Sequence, residues 1–152
     1  MLLLRDRPMD RPVYRIGFTG TKRGMTAAQL DALRVCLNDY SVGTELHHGD
    51  CIGADAEAHD ICTALRLKPV IHPPDNPRAR AYKQAKRVLP PKPYLERNHD
   101  IVDAVDYLIA APAGFKEKLR SGTWATVRYA KRVGKVVYVL WPNGVFKVYG
   151  RE

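Results

Sequence analysis

The chain has 152 residues, of which 45% are hydrophobic and 27% are charged, and these proportions match one ordinary globular domain rather than a disordered protein. Its apolar runs are no longer than a strand, so we expect no membrane-spanning segment, no export signal and a cytoplasmic location. Lysine and arginine total 25 against 16 acidic residues, and this net charge of +9 predicts an anionic partner.

The hydrophobic pattern predicts strands that alternate with helices along the whole chain. Residues 1–12 are interpreted as a flexible leader and residues 13–152 as a single domain. In chain order, the predicted strands cover residues 13–18, 44–48, 68–72, 106–111 and 136–141, with a short terminal strand at 145–149. The predicted helices cover about 26–40, 54–65, 94–105 and 121–134, and part of 78–88 is a further helix candidate.

Two of these helices carry recognisable end signals. Thr26 and Gln29 have the spacing of a capping box, which satisfies amides at a helix start. Lys131, Arg132 and Gly134 form a cationic last turn followed by a glycine, the usual end of a helix. Because the connections have crossover length, we expect an α/β fold: a three-layer, Rossmann-like single domain with a mainly parallel five-stranded sheet plus the short C-terminal strand.

Three glycine-containing loops follow predicted strands and precede helices. They cover residues 20–24, 49–53 and 121–123, and each glycine taken alone could simply serve a turn. In an open parallel sheet, ligands bind beyond the carboxyl ends of the strands, and the first amides of each helix lack intrahelical partners. The three loops together therefore predict one anion-binding site at that edge of the sheet.

The three cysteines, Cys36, Cys51 and Cys62, contain no CxxC pair, which gives no support to a disulfide framework or a zinc site. We expect no metal and no cofactor. His47 and His48 lie at a predicted strand end without an acidic partner at metal spacing, and we interpret them as packing residues.

Several motifs occur in an order that resembles the SLOG superfamily over about residues 13–142. The segments that carry this resemblance are IGFTGT (16–21), HGDCIGAD (48–55), RN (97–98), LIAAP (108–112) and SGTW (121–124). That superfamily includes the LOG-type nucleoside monophosphate phosphoribohydrolases, nucleotide-sensing domains of antiviral systems and the Rossmann-like core of DNA-processing protein A. The resemblance implies a nucleotide pocket and a homodimer or larger assembly.

The resemblance and the loops together define the expected ligand-binding residues. Arg97 is expected to contact phosphate or ribose, and Trp124 either stacks on a base or packs beneath its loop. The full set is Thr19, Gly20, Thr21, Lys22, Arg23, Gly49, Asp50, Cys51, Gly53, Asp55, Arg97, Asn98, Pro112, Ser121, Gly122, Thr123 and Trp124.

The catalytic motif of the LOG-type hydrolases, Pro-Gly-Gly-x-Gly-Thr-x-x-Glu, is incomplete here. Thr126 stands where the glutamate would stand, and threonine cannot stabilise the oxocarbenium character that develops when an N-glycosidic bond breaks. The candidate replacements are Asp50, Asp55, Glu57 and Glu96, although an acidic residue near a helix start more often complements the helix dipole.

The sequence leaves three functions open. The leading prediction is a module that binds a nucleotide or nucleotide-derived phosphate ligand and so senses or sequesters it. One alternative is a nucleoside monophosphate phosphoribohydrolase that uses a displaced carboxylate. The other is a nucleic-acid-binding protein that uses the basic segment 78–97, where Arg78, Arg80, Lys83, Lys86, Arg87, Lys92 and Arg97 accompany Glu96 alone.

Overall fold

A computed structural model describes residues 13–150, so the predicted leader lies outside the described part of the chain. One seven-stranded sheet runs through it, with four α-helices packed on its two faces. The strands are β1 (Arg15–Gly20), β2 (Glu45–His48), β3 (Lys68–Ile71), β4 (Arg87–Val88), β5 (Tyr107–Ala111), β6 (Val136–Leu140) and β7 (Phe146–Tyr149). The helices are α1 (Ala27–Asn38), α2 (Ala54–Ala64), α3 (Tyr94–Ala104) and α4 (Gly122–Arg132).

The strand order is β4-β3-β2-β1-β5-β6-β7, and every pairing except β6 with β7 is parallel. From β1 the chain crosses to β2 on one side, whereas from β5 it crosses to β6 on the other. The order therefore reverses between β1 and β5, and the crevice beyond their carboxyl ends is where an open α/β sheet binds ligands. The expected α/β class with a mainly parallel sheet is confirmed.

The core has one apolar layer on each face of the sheet, because successive strand residues point to opposite sides. In β5, Ile109 and Ala111 join the cluster covered by α1 and α2, whereas Leu108 and Ala110 join the cluster covered by α3 and α4. Thr26 caps α1 through the predicted reciprocal bonds with Gln29. No helix within residues 13–150 is both long and apolar enough to span a membrane.

The candidate helix within residues 78–88 is wrong. That stretch holds the end of a single 3-10 turn, Pro77–Ala79, followed by extended chain and β4. Bonds to Asp50 hold residues 81–83 outside any helix, since its carbonyl accepts from the Ala81 amide (2.7 Å) and its carboxylate from the Lys83 amide (3.0 Å). Further along, β4 pairs in parallel with β3, and this strand of two residues is too short for sequence periodicity to reveal.

Candidate functional site

A pocket of about 390 Å³ lies at the reversal point of the sheet. One wall is the end of β1 with the loop after it, which contribute Gly20, Thr21 and Lys22, and the opposite wall lies within residues 113–124, the connection after β5 and the first turn of α4. The Thr21 amide donates to the Ala111 carbonyl (3.0 Å), which fixes the two loops side by side. We call this the cationic pocket, because its lining residues include Lys22, Lys116, Lys118 and Arg120 and no acidic residue.

Alternation along the loop explains why three of these cations converge. Lys116, Lys118 and Arg120 line the pocket, whereas the two residues between them, Glu117 and Leu119, do not. Arg128 of α4 donates to the Glu117 carboxylate (2.9 Å) and to the Leu119 carbonyl (2.9 Å). These bonds fasten the Glu117 side chain and the Leu119 backbone to the helix, and the side chains of the three neighbouring cations lie on the pocket side of the loop.

The amino-terminal turn of α4 closes the inner end of the pocket. Ser121 caps the helix, and its hydroxyl accepts from the Trp124 amide at 3.2 Å. A Cβ on Gly122 would lie 2.8 Å from Cε1 of Tyr94, so glycine is required for the Tyr94 ring to lie against the helix start. The positive end of the helix dipole and the first-turn amides therefore add to the field of the four cations.

Solved structures of other proteins share this fold. A molybdenum cofactor binding protein from the phototrophic bacterium Rippkaea orientalis has a TM-score of 0.67 at 19% identity, over 86% of this chain and 77% of that one. DNA processing protein A from Helicobacter pylori, described for its single-stranded DNA binding mode, has a TM-score of 0.57 at 17% identity, over 86% and 66%. The protein TM1055 has a TM-score of 0.60 at 13% identity, over 82% and 72%.

The chain shares the Rossmann-like fold of these three proteins. DNA processing protein A is one of the proteins whose core the sequence motifs resemble, so the expected likeness holds at the level of the fold. No protein-family model matches the sequence, and a search of curated proteins also finds no match. Function must therefore be argued from the site.

Within this fold, the predicted ligand residues separate into two groups. Those that line the cationic pocket are Gly20, Thr21, Lys22, Ser121, Gly122, Thr123 and Trp124. Those that do not are Thr19, Arg23, Gly49, Asp50, Cys51, Gly53, Asp55, Arg97, Asn98 and Pro112. Sequence reasoning missed Tyr94, Ala113, Gly114, Lys116, Lys118 and Arg120, although the alternating KEKLR stretch at 116–120 was a usable signal.

The second glycine loop, residues 49–53, is covered by another segment of the chain, so the expectation that all three glycine loops contact one ligand needs correction. Asp50 is fully buried in a left-handed backbone conformation (φ 54°), and its carboxylate also accepts from Nε of Arg80 at 3.1 Å. The Ile52 amide donates to the Ala79 carbonyl at 3.1 Å. The chain after β3 thus covers this loop, and only the first and third loops line the pocket.

The Asp55 carboxylate binds backbone amides of the same loop. Its Oδ2 accepts from the amides of Gly49 and Cys51, both at 3.2 Å, while its Oδ1 has no partner. Burial raises the pKa of this carboxyl to about 6, and the nearby Arg97 guanidinium opposes that rise. Asp55 therefore shapes the loop, and burial makes its charge costly.

Arg97 is also committed to the protein. It is 2% exposed, and its guanidinium donates to the carbonyls of Gly49 and His72 and to Oδ1 of Asn98. It ties α3 to the ends of β2 and β3. These contacts give Arg97 a structural role; its Nη2 contacts Sγ of Cys51, at 3.6 Å, and direct contact with a phosphate stays a prediction.

None of the four candidate catalytic carboxylates lines the cationic pocket. Thr126 is buried, and its hydroxyl donates to the Gly122 carbonyl at 2.9 Å, a back-bond within its own helix. Glu57 accepts from the Met25 amide at 2.7 Å, and Glu96 is exposed beside Lys92 at 3.8 Å. The pocket therefore offers no carboxylate for N-glycosidic bond cleavage from Asp50, Asp55, Glu57 or Glu96.

The basic segment 78–97 is largely neutralised by carboxylates of the same chain. Only Arg78 and Lys86 of its cations are exposed with no bridging carboxylate recorded within residues 13–150. Arg97 is buried as described above. The ion pairs are Arg80 with Asp50, Lys83 with Asp60, Arg87 with Glu45, and Lys92 with Asp100.

The histidines form two buried pairs between β2, β3 and α2. Nδ1 of His47 lies 2.8 Å from Nε2 of His72, and Nε2 of His48 lies 2.9 Å from Nδ1 of His59. Burial lowers the pKa of each, that of His72 to about 4, and so favours the neutral imidazole. Within residues 13–150, no group of three His, Cys, Asp or Glu side chains is placed to hold a metal ion.

Proposed function

We propose that this protein binds a nucleotide or nucleotide-derived phosphate ligand in the cationic pocket, as a sensing or sequestering module. The observation that carries the proposal is the convergence of Lys22, Lys116, Lys118 and Arg120 on a pocket whose lining has no carboxylate. Four like charges repel one another, so such a grouping is favourable only when an anion compensates it. The amino-terminal turn of α4 supplies amides aimed at the same place.

The position of the pocket supports this role independently of its charge. It lies at the strand-order reversal, where open α/β sheets bind ligands, and its volume of about 390 Å³ falls within the usual range for small-molecule sites. A protein of the same fold is named for binding a molybdenum cofactor. This fold is therefore compatible with a small-molecule ligand at this edge.

A binding role is favoured over phosphoribohydrolase activity because the pocket lining has no carboxylate. A preorganised charged group in such a site typically contributes about 10² to 10³ in rate. Incubation with nucleoside monophosphates should therefore release no free base above background. Rapid base release that Asp55→Asn or Glu57→Gln abolishes would contradict a binding-only role.

Calorimetric titration with nucleotides tests the binding proposal. Lys118→Ala should weaken nucleotide binding about tenfold or more, because a charge-assisted hydrogen bond contributes roughly 1.5 to 3 kcal/mol. The matched control is Lys86→Ala, which removes the same charge from an exposed position outside the pocket. Mass spectrometry of small molecules released from the native protein would identify the ligand. Equal affinity in both variants would remove the pocket from the function.

Single-stranded nucleic acid is a second candidate ligand. The observation that favours it is the exposure of Lys116, Lys118 and Arg120 along one loop, together with a neighbour described for single-stranded DNA binding. Salt separates the two candidates, because a nucleic acid releases many counterions on binding and a mononucleotide few. A steep decline of oligonucleotide affinity with salt, weakened by Lys118→Ala, would favour nucleic acid over the small ligand.

A further inference from the structure

We infer that the ligand of the cationic pocket carries two or more linked phosphate groups, and that the pocket selects for this phosphate chain with little regard to the base. This inference rests on the proposed function and specifies its ligand. Three features of the described residues carry it: the charge of the lining, the absence of a free aromatic face among the lining residues, and the fastening of the loop that bears the cations.

The charge of the lining exceeds what one phosphate compensates. Lys22, Lys116, Lys118 and Arg120 contribute four positive charges, and the start of α4 adds roughly half a charge more. A phosphate monoester carries only about −1.5 to −2 at neutral pH. None of the four cations has a carboxylate partner recorded among residues 13–150. A chain of linked phosphates adds the further negative charge that this lining needs.

The pocket does not offer a free aromatic surface for a base. Its two aromatic lining residues are Tyr94 and Trp124. Trp124 is 4% exposed and packs on Trp141 at 5.8 Å between ring centroids, within the core beneath α4. Nζ of Lys22 lies 5.2 Å and the Arg97 guanidinium 4.8 Å from the Tyr94 ring centroid. Cations therefore occupy the tyrosine ring on which a base would otherwise stack.

The loop that carries three of the cations is held in place before any ligand arrives. Arg128 bonds to Glu117 and Leu119, the residues between the pocket cations, and the Ser121 amide donates to the Lys118 carbonyl at 3.3 Å. A fastened loop loses less conformational entropy on binding. The three cations thus follow one another along a fastened loop, which suits a ligand with several linked anionic groups.

The test is a calorimetric series at constant ionic strength in metal-free buffer, with AMP, ADP, ATP, GTP and inorganic tripolyphosphate. Affinity should rise about tenfold or more from AMP to ADP and again to ATP, since each added phosphate gains charge-assisted contacts. GTP should bind within a few-fold of ATP, and tripolyphosphate should compete with both.

Two pocket variants and one control assign the effect to the site. Lys116→Ala and Lys118→Ala each lie on an exposed loop, and each should reduce ATP affinity by a larger factor than AMP affinity. Lys86→Ala should leave the whole series unchanged. Circular dichroism of each variant confirms that the fold is retained.

The outcomes separate this inference from the proposal beneath it. Equal affinity for AMP and ATP, with both reduced by Lys118→Ala, would overturn the phosphate-chain inference and leave nucleotide binding intact. A strong preference for one base would also overturn it. If no nucleotide binds and tripolyphosphate does not bind either, both the inference and the proposed function are overturned. Both are also overturned if Lys86→Ala reduces the effect of phosphate number as much as Lys118→Ala does, because the effect would then arise from net charge alone.

Discussion

Replacement of Gly53 by alanine should destabilise the fold severely, in contrast to the same change at Gly134. Gly53 has φ +98° and ψ −127°, a region that residues with a side chain rarely occupy, and its added Cβ would lie 2.6 Å from the Lys22 carbonyl carbon and 2.8 Å from the Thr21 oxygen. The conformational cost is about 1 to 3 kcal/mol, and the collision with backbone adds about 1 to 3 more. We expect a total loss of about 2 to 6 kcal/mol.

Gly134 separates these two costs. It also has a positive φ, +82°, but nothing lies within 4 Å of the added Cβ, so Gly134→Ala should cost only about 1 to 2 kcal/mol. Urea unfolding followed by circular dichroism measures both, and a shift of midpoint at constant slope reports stability. If Gly53→Ala destabilised the protein no more than Gly134→Ala, the close packing of the first two glycine loops would be refuted.

Arg97→Ala should lower the free energy of unfolding by about 3 to 5 kcal/mol, because the carbonyls of Gly49 and His72 lose their hydrogen-bond donor and the buried Asp55 carboxyl loses the nearby positive charge. Unchanged stability in urea unfolding would contradict this expectation. Gly122→Ala should destabilise the wild-type protein, because the added methyl group meets the Tyr94 ring. In a protein that already carries Tyr94→Ala, the same change should be neutral or favourable. A double-mutant cycle without coupling between the two positions would exclude the contact between Gly122 and Tyr94. Acid should also weaken the fold through His72, whose pKa is lowered to about 4 in the folded protein against about 6.5 in the unfolded chain. The contribution of neutral His72 to stability is complete above about pH 6.5 and is lost toward pH 4, by about 3 kcal/mol at most. In thermal unfolding across that pH range, His72→Gln should therefore lose less stability than the wild type.

The sequence was sufficient for the architecture because the features that determine it are local. Strand periodicity, the capping box of Thr26 and Gln29, and glycines after strands all depend on neighbouring residues, and the structure reproduces them. The two-residue strand β4 was not predictable in this way. It exists because its backbone pairs with β3, which lies 16 or more residues earlier in the chain.

The candidate site was only partly predictable, because charge in a sequence does not reveal which charges are paired. The segment 78–97 has the densest run of cations, yet its carboxylate partners come from elsewhere in the chain, such as Glu45 and Asp60. Lys116, Lys118 and Arg120 are less conspicuous because Glu117 lies among them. Glu117 forms an ion pair with Arg128 instead of lining the pocket, and only the folded structure shows this contact.

The fastened loop also has a kinetic consequence. Lys116, Lys118 and Arg120 are exposed at the mouth of the pocket rather than enclosed within it, so their combined field extends into solvent over about one Debye length, roughly 8 to 10 Å. A field of this kind guides an anion toward the pocket before contact, and steered encounters can reach about 10⁸ M⁻¹s⁻¹, against about 10⁵ to 10⁶ for uncharged surfaces. The same residues that hold the ligand would therefore also capture it, and the rate of capture would follow the ionic strength of the surrounding solution.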